Sequence, residues 1–363
     1  MRFKVAIIFT FIVLLFCSCG MGSNPTLLDK PTFKYVPETT EAPPEKDIVM
    51  TFTGDVSFAD NWHIMQYCQA NKVTPVDLID DALKAEMKNA DIAHMNNEFC
   101  ISTKGTPLQK MYVFRGKPEY AKYYTELGID FVTLANNHCF DYGEAAFLEM
   151  LEVLQNENIK YLGAGKNSEE AQSPIYYEIE GRTVAFVSAT RAEKNIRTPE
   201  ATEESPGVFR CYETEKLVET IKTAKQNADF VVAILHWGTE DSHYLEQVQR
   251  DTAKLYIDAG ADLIVGGHAH CLQGIEYYNH VPIIYNLGNF LFSKNTIDTA
   301  LLKVTLSSDN KLTVQMIPAI QKNCHVTSVL GTEDGKRILN DIKSYSEGII
   351  IDEEGYITED TGV

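Results

Sequence analysis

The sequence predicts an α/β fold with a largely parallel core, and three observations support this class. From about residue 47, short apolar runs rich in β-branched residues alternate with amphipathic stretches of helical periodicity, which is typical of strand–helix–strand units. Several of these runs end in polar residues, as strands do at the ligand-binding edge of an open α/β sheet. The composition of the 363 residues, 44% hydrophobic and 23% charged, is that of a globular protein.

The runs predict the following elements in chain order. Strands at 48–53, 92–96, 131–135 and 161–165 alternate with helices at 75–88, 117–127 and 143–156. A hairpin of 175–179 with 183–188 precedes helix 213–227, strand 230–235, helix 244–258 and strand 263–265. The rest is predicted to be mostly antiparallel: 274–279 with 282–286, 300–306 with 312–317, a helix at 335–345 and a loose acidic tail after 351. The main domain is therefore predicted at 47–330, and residues 331–363 as a C-terminal helix and tail.

Residues 1–19 have the pattern of a bacterial lipoprotein signal peptide. Arg2 and Lys4 supply the positive start, and the apolar run 5–16 has the length of a signal core, shorter than the roughly 20 residues that span a bilayer. The run ends at Ser18-Cys19, which resembles a lipobox with Cys19 as the lipidated residue, although Phe16 stands where leucine is usual. The alternatives are a cleaved secretory signal and an uncleaved anchor.

Residues 20–46 are predicted to be a flexible tether. They are rich in Gly, Ser, Pro, Thr and Glu, as in the run Val36–Glu45, and cannot bury enough apolar surface to fold. A lipid-anchored cysteine followed by a flexible spacer predicts an extracytoplasmic protein attached to the bacterial cell membrane.

The cysteines beyond the signal are predicted to be mostly free thiols. Six remain, in a chain large enough not to need disulfides, and most lie in apolar runs where cysteine behaves as a small hydrophobic residue. One bridge is possible, but Cys139 and Cys271 are expected to be reduced and buried.

The charge balance limits the partners. With 51 acidic and 32 basic residues, the formal net charge is −19, which argues against nucleic-acid binding and against basic patches on an anionic membrane. An anionic substrate must therefore be captured by a local positive site, such as bound metal ions.

Residues of metal-ligand type follow five predicted strands. They are Asp55, Glu98, Asn137 with His138, His236, and His268 with His270. Because the carboxyl ends of parallel strands meet at one edge, these groups are expected to share one crevice. Carboxylates, an amide and imidazoles suit Mn²⁺, Fe or Zn²⁺, and the set suffices for two ions with a bridging ligand. In an extended segment His268 and His270 would project to the same face and could bind one metal.

The segments around these residues resemble the CapA family of poly-γ-glutamate capsule proteins, a branch of the calcineurin-like metallophosphoesterase superfamily. The matching segments are 53–56, 97–98, 135–143, 163–165, 236–238, 267–276 and 285–290. The resemblance covers about residues 48–293 and implies a four-layer αββα sandwich.

The resemblance also implies a role for each ligand candidate. Asp55 corresponds to the first metal aspartate and Glu98 to the bridging carboxylate, while Asn137, His236 and His268 would hold the second metal and His270 the first. His138 corresponds to the catalytic histidine. Ser57 stands where the superfamily has a further histidine ligand, so one of the two sites is expected to bind its ion weakly.

Three further residues are candidates for the site. Asp141 could orient the His138 imidazole, although capping the following helix explains it equally well. Arg115 could grip a carboxylate or phosphate through two parallel hydrogen bonds, or be an ordinary surface arginine. Glu240 could line the site, or be a solvated loop carboxylate.

Two functions follow as expectations. The first is a metal-dependent hydrolase or transferase acting on poly-γ-glutamate or a related anionic substrate, in which His138 protonates the leaving group. The second is a non-catalytic accessory protein in which metals hold the polymer carboxylates during synthesis or export. His138 favours catalysis and Ser57 favours binding. In either case capsule synthase membrane proteins are the expected partners.

Overall fold

The computed structural model describes residues 46–193 and 197–362. The described residues belong to one compact unit, which includes the segment after 330 that the sequence analysis set apart. The predicted signal peptide, Cys19 and all but the last residue of the predicted tether lie outside the described residues.

The strands of the described residues belong to two large sheets and two small ribbons. In chain order they are β1 (Ile48–Val56), β2 (Ile92–Asn97), β3 (Cys100–Ile101), β4 (Arg115–Gly116), β5 (Phe131–Thr133), β6 (Lys160–Leu162), β7 (Ala164–Gly165), β8 (Ile175–Ile179), β9 (Arg182–Thr190), β10 (Gly207–Val208), β11 (Phe230–Trp237), β12 (Leu263–His268), β13 (Ile275–Tyr278), β14 (Val281–Ile284), β15 (Asn289–Leu291), β16 (Ile297–Leu306), β17 (Leu312–Lys322), β18 (His325–Ser328), β19 (Ile349–Ile351) and β20 (Tyr356–Glu359).

The larger sheet has ten strands and is parallel in one half. Its order is β19-β20-β17-β16-β1-β2-β5-β6, with β15 beside β1 and β18 beside β17. Strands β1, β2, β5 and β6 are parallel neighbours, whereas β16, β17, β19 and β20 pair antiparallel. The second sheet has the order β13-β14-β12-β11-β9-β8. Its four central strands are parallel and both edges are antiparallel.

The helices of the described residues pack on the outer faces of these sheets, except the last, whose apolar residues join the layer between the sheets. They are α1 (His63–Asn71), α2 (Asp81–Asn89), α3 (Lys122–Leu127), α4 (Glu144–Asn156), α5 (Ser168–Gln172), α6 (Glu215–Gln226), α7 (Gln247–Asp258) and α8 (Glu333–Ser344), with 3₁₀ turns at Pro75–Leu78 and Pro118–Ala121. The predicted helix 75–88 is thus divided in two, and α1 was not predicted. Its apolar residues Ile64, Met65 and Cys68 fill one short face, too few for a clear period.

Three apolar layers hold the sheets and helices together. Helices α1–α4 pack on the ten-stranded sheet, and α6 and α7 pack on the six-stranded sheet. Between the two sheets lies a third layer, where the ring centroid of Phe186 is 6.3 Å from that of Phe52 and 4.7 Å from that of Phe131. The order is helix, sheet, sheet, helix, which confirms the predicted αββα sandwich.

The prediction of a loose tail after residue 351 is wrong. Strand β20 pairs with β17, and β19 pairs with β20, so the C-terminal residues complete the ten-stranded sheet. Ile357 and Ile349 are 3% and 6% exposed and belong to the layer between the sheets. In a strand that buries one face, only every second residue needs to be apolar. The acidic residues between Ile349 and Ile357 therefore made this segment resemble a solvated tail in the sequence.

All six cysteines of the described residues are free and buried. Cys139 and Cys271 are among them, as expected, and the bridge considered as a possibility does not form among these residues.

Across residues 46–193 and 197–362, we find no helix with both the length and the apolar character needed to span a membrane.

We predict that the C-terminal hairpin contributes to global stability through Ile357. Replacing Ile357 with alanine should lower the free energy of unfolding by about 2–5 kcal/mol, the usual range for emptying a buried isoleucine site. Ile350→Ala in the same hairpin is the matched control, because Ile350 is 48% exposed and should change stability by less than about 0.5 kcal/mol. Urea unfolding of both variants measures this. Equal effects of the two changes would contradict the packing role of the tail.

Candidate metal centre

The parallel strands of both sheets bring the predicted site residues to one crevice. Asp55 lies near the end of β1 and Glu98 follows β2, while His236 and His268 lie at the ends of β11 and β12. Asn137 and His138 follow β5, in the loop that leads to α4. The sandwich therefore places ligands of the ten-stranded sheet opposite those of the six-stranded sheet.

Strand register and one glycine allow Asp55 of the ten-stranded sheet to approach the six-stranded sheet closely. Asp55 is in register with Asn96 on one side and Asn289 on the other, and His268 is in register with Trp237. At Gly267 a Cβ atom would lie only 2.9 Å from Asp55 Oδ1. Only glycine lets the Asp55 carboxylate approach the opposite sheet this closely.

Two groups of side chains in the described residues could each hold a metal ion. Glu98, His236 and His268 form one group, and Asp55, Glu98 and His270 form the other, with the ligand atoms of each group within 4.8 Å of one another. Glu98 belongs to both groups. The two groups correspond to the division that the family resemblance implies, and the binding of ions by these residues stays a prediction.

His268 and His270 belong to different groups, so the idea that an extended segment could aim both at one metal is wrong. Their φ angles are +93° and +57°, in the left-handed region rather than the extended one. Their ring centroids are consequently 6.1 Å apart, and each imidazole faces its own group.

The unsatisfied atoms of the crevice fit a cation site. Glu98 is fully buried, and neither of its carboxylate oxygens has a hydrogen-bond partner among the described residues. The Nδ1 atom of His268 is likewise buried without a partner there. Buried polar groups are almost always satisfied in folded proteins, and carboxylate and imidazole donors are those that Mn²⁺, Fe and Zn²⁺ accept. The donor set therefore suits divalent metal ions.

Hydrogen bonds fix the other ligands in place. Asp55 Oδ1 accepts a 2.8 Å bond from Asn96 Nδ2, and His270 Nδ1 lies 3.1 Å from Asp55 Oδ2 and 2.9 Å from Asn289 Oδ1. His236 Nε2 lies 2.9 Å from Asn137 Oδ1 and 3.5 Å from Glu98 Oε1. The Asn137 side chain thus lies beside the group of Glu98, His236 and His268.

Burial and crowding perturb the carboxyl groups. Burial and the neighbouring Asp55 charge raise the pKa of Glu98 well above 4.5. For Asp55, burial raises the pKa, but the hydrogen bond and positive charge of His270 outweigh it, so the pKa lies below its usual value. Two carboxylates this close favour a positive charge between them.

The pKa values of the three imidazoles are shifted in opposite directions. Burial lowers the pKa of His236 to about 3, and burial with the neighbouring histidines places that of His268 well below 6.5. Burial opposes protonation of His270 as well, but the charges of Glu98 and Asp55 raise its pKa to about 10. His236 and His268 are therefore neutral imidazoles with the lone pairs that a metal needs, whereas His270 holds a proton that a metal would displace.

His138 lies beside the metal groups in a separate hydrogen-bonded network. Its Nδ1 atom is 2.7 Å from Asp141 Oδ2. Asp141 therefore orients the imidazole, which is one of the two roles considered for it in the sequence analysis. Asp141 is fully buried and also accepts bonds from Lys110 Nζ at 2.9 Å and from the Phe114 backbone N–H at 2.8 Å. Lys110 further donates to the carbonyl of Asn137, which ties the network to a ligand.

Three residues of the centre were not predicted: Asn96, Lys110 and Asn289. Asn96 directly precedes Asn97-Glu98 at a strand end, so the strand-end rule could have included it. Asn289 lies in the segment 285–290 that carries the family resemblance, but no role was assigned to it. Lys110 lies in an irregular loop, where no period or motif indicates a buried cation.

The remaining predicted residues occupy the margin of the centre. Arg115 stacks on the Tyr142 ring at 4.1 Å and donates to the Lys104 carbonyl at 3.3 Å, without a hydrogen bond to a ligand in the described residues. Glu240 is exposed, yet its charge helps to raise the pKa values of Glu98 and His270. Ser57 is fully buried, and its hydroxyl has no partner among the described residues.

Comparison with known proteins identifies a family and two named relatives. The family model described as bacterial capsule synthesis protein PGA_cap matches residues 49–294, a range that includes every ligand candidate. The chain is 32% identical over 242 residues to "Capsule biosynthesis protein CapA" of Bacillus anthracis, covering 64% of this chain and 58% of that one. It is 33% identical over 204 residues to "PGA biosynthesis protein CapA" of Bacillus subtilis, covering 55% and 53%. The matched region thus spans little more than half the length of either relative.

Among solved structures, the NAD nucleotidase of Haemophilus influenzae is similar with a TM-score of 0.45 and 13% sequence identity, covering 83% of this chain and 57% of that one. This similarity concerns the fold alone.

Proposed function

The chain belongs to the PGA_cap family of bacterial capsule synthesis proteins, and we propose that it is a metal-dependent hydrolase or transferase of poly-γ-glutamate capsule synthesis or export. The substrate class is taken from the family and from the names of the two relatives. The observation that supports catalysis is the buried Glu98 carboxylate, which belongs to two ligand groups beside an oriented His138.

We place two divalent cations, Mn²⁺, Fe or Zn²⁺, in these groups. Asp55, Glu98 and His270 would hold one ion, and Glu98, Asn137, His236 and His268 the other. Such ions, when bound, lower the pKa of a coordinated water to about 7 and stabilise negative charge on the attacked group.

The chain's own residues supply the remaining chemistry. Because Asp141 engages Nδ1 of His138, Nε2 is the nitrogen left to give a proton to a leaving group. Lys110 and the Phe114 N–H hold Asp141 in place, so the imidazole is positioned before substrate arrives. Asn96 and Asn289 orient Asp55 and His270 in the same way. Arg115 has guanidinium N–H groups beyond the one bonded to Lys104, and these are suited to a substrate carboxylate.

The alternative is a non-catalytic accessory protein that uses the same ions to hold polymer carboxylates. The observation that favours it is Ser57, since a buried hydroxyl cannot replace the imidazole expected at this position. The group of Asp55, Glu98 and His270 then has fewer ligands, and its ion is expected to bind more weakly than the other.

We also propose an extracytoplasmic location with a lipid anchor at Cys19, next to capsule synthase membrane proteins. The sequence of residues 1–46 supports this proposal. Cys19→Ser should move the protein from the detergent phase to the aqueous phase in a detergent-partition assay, because the acyl chains supply its membrane affinity. Equal partitioning of variant and wild type would refute the anchor.

For the metals, we predict that Glu98→Gln lowers the affinity for both ions, whereas His268→Ala and His270→Ala each mainly affect one. The expected loss is at least about tenfold in dissociation constant for the affected ion, because each change removes one of few ligands. Affinity should rise with pH across the neutral range, because metal must displace the protons that the raised pKa values hold on Glu98 and His270. Isothermal titration with Zn²⁺ or Mn²⁺ at several pH values measures both effects.

His280→Ala is the matched control for this experiment, because the His280 side chain is 87% exposed and lies outside both groups. It should bind metal as the wild type does. If Glu98→Gln loses only one ion and binds the other with wild-type affinity, the bridging role is wrong.

For catalysis, we predict that the metal-loaded protein cleaves a chromogenic phosphodiester or a γ-linked glutamate polymer. His138→Ala should lower kcat by about 10²–10⁴-fold, the usual contribution of general acid catalysis, while metal content stays unchanged. His280→Ala again serves as the control. Absence of turnover in fully metal-loaded wild type, together with measurable polymer binding, would favour the accessory function instead.

A further inference from the structure

A continuous stack of aromatic rings leads from the metal centre to the protein surface. We call Trp62, Tyr112, Phe114 and Phe292 the aromatic wall. The ring centroid of Phe114 is 4.5 Å from that of His138, and that of Phe292 is 5.1 Å from that of His270. Phe114 and Phe292 meet edge-to-face at 5.5 Å. The inner end of the wall therefore touches both the oriented His138 and a metal-ligand candidate.

The outer end of the wall is open to solvent. Trp62 packs on Phe114 at 5.0 Å and on Tyr112 at 5.7 Å between ring centroids. Phe114 and Phe292 are 3% and 5% exposed, whereas Tyr112 is 53% exposed and the adjacent Met111 is 87% exposed. Exposed apolar side chains grouped beside a functional site mark a binding surface more often than a structural accident.

The backbone around the wall is held in place without a ligand. The Asn61 side chain donates to the Val113 carbonyl at 2.8 Å, and the Asp60 N–H donates to the Arg115 carbonyl at 2.8 Å. These bonds tie the loop after β1 to the segment before α3 that carries Tyr112 and Phe114. The Phe114 N–H also donates to Asp141, so the wall and His138 are positioned by one network.

Positive charge lies next to this apolar surface. The His63 ring is 4.4 Å from Trp62, and the exposed Lys294 lies two residues after Phe292 in the chain. Arg115 directly follows Phe114. On a chain of net charge −19, rings flanked by cations suit a ligand that combines apolar, planar parts with carboxylates.

We propose that the aromatic wall is the subsite for the γ-glutamyl chain next to the group that reaches the metal centre. The substrate identity rests on the proposed function, and the wall specifies how the polymer is held. Its amide planes and methylene groups pack on Trp62 and Tyr112, while its carboxylates face Lys294 and Arg115. A simple phosphate or free glutamate reaches the metal centre without covering the wall.

The two tryptophans of the chain make this proposal measurable. Trp237 is fully buried and donates to the Tyr285 carbonyl at 3.0 Å, so an added ligand changes chiefly the emission of Trp62. A γ-linked glutamate decamer titrated into the Zn²⁺-loaded full chain should shift the Trp62 emission and protect it from acrylamide. Trp62→Phe should abolish both signals.

The affinity of aromatic-wall variants for the decamer tests whether the wall is its subsite. Tyr112→Ser should weaken decamer binding by about tenfold, as expected for loss of one aromatic contact and its buried area, with unchanged zinc content. Tyr176→Ser is the matched control, because Tyr176 is a 37% exposed tyrosine of β8. The dissociation constant of this variant for the decamer should stay within about twofold of the wild-type value.

The outcomes separate this inference from the proposed function. If the decamer binds wild type and Tyr112→Ser equally well, the wall is not its subsite, while the polymer remains the substrate class. If the decamer fails to bind zinc-loaded wild type, both the polymer as substrate and the wall as its subsite are overturned.

Discussion

The arrangement of the centre depends on burying the Glu98 carboxylate where the two sheets meet. An ionised carboxylate taken from water without a partner costs several kcal/mol, and Glu98 is fully buried with both oxygens unpaired among the described residues. Asp55 increases the cost by its own charge, as the raised pKa of Glu98 records. Divalent cations held by Glu98 and Asp55 would convert this repulsion into attraction, so the donor set suits such ions.

The two halves of the centre are built on different principles. The ligand half leaves acceptor atoms of Glu98 and His268 without partners, and this suits groups whose final partner is an ion. In the half around His138, the Asp141 carboxylate accepts bonds from His138, Lys110 and the Phe114 N–H. A proton-transfer group benefits from such preorganisation because its geometry then needs no rearrangement during the reaction. Lys110 links the halves through the carbonyl of Asn137.

Surface and centre complement each other in charge. The chain carries a formal net charge of −19, so a polyanion needs local positive charge, which the proposed metal ions, Lys294 and Arg115 would supply. The aromatic wall begins at this same place, with its inner rings against His138 and His270. In the proposed function, this combination of local positive charge and apolar contact area would favour amphipathic anions over fully hydrated ones.

The sequence alone indicated the fold class, most of the strands and helices, and the polar residues that meet in the crevice, because each of these depends on local periodicity or on the polar residue that ends a strand. The division of the candidate ligands into two groups was implied by the family resemblance and not by the strand-end pattern, which suggested that His268 and His270 share one metal. His268 and His270 separate into two groups because their φ angles are in the left-handed region, a conformation that no local pattern in the sequence indicates. The C-terminal strands were missed because Ile349 and Ile357 find their core only once both sheets exist. Lys110 became visible as a buried cation only in the folded protein, since its partners Asp141, Glu193 and Asn137 are distant in the chain. Local sequence pattern thus indicated which segments are strands and helices, and long-range packing determined which side chains come into contact.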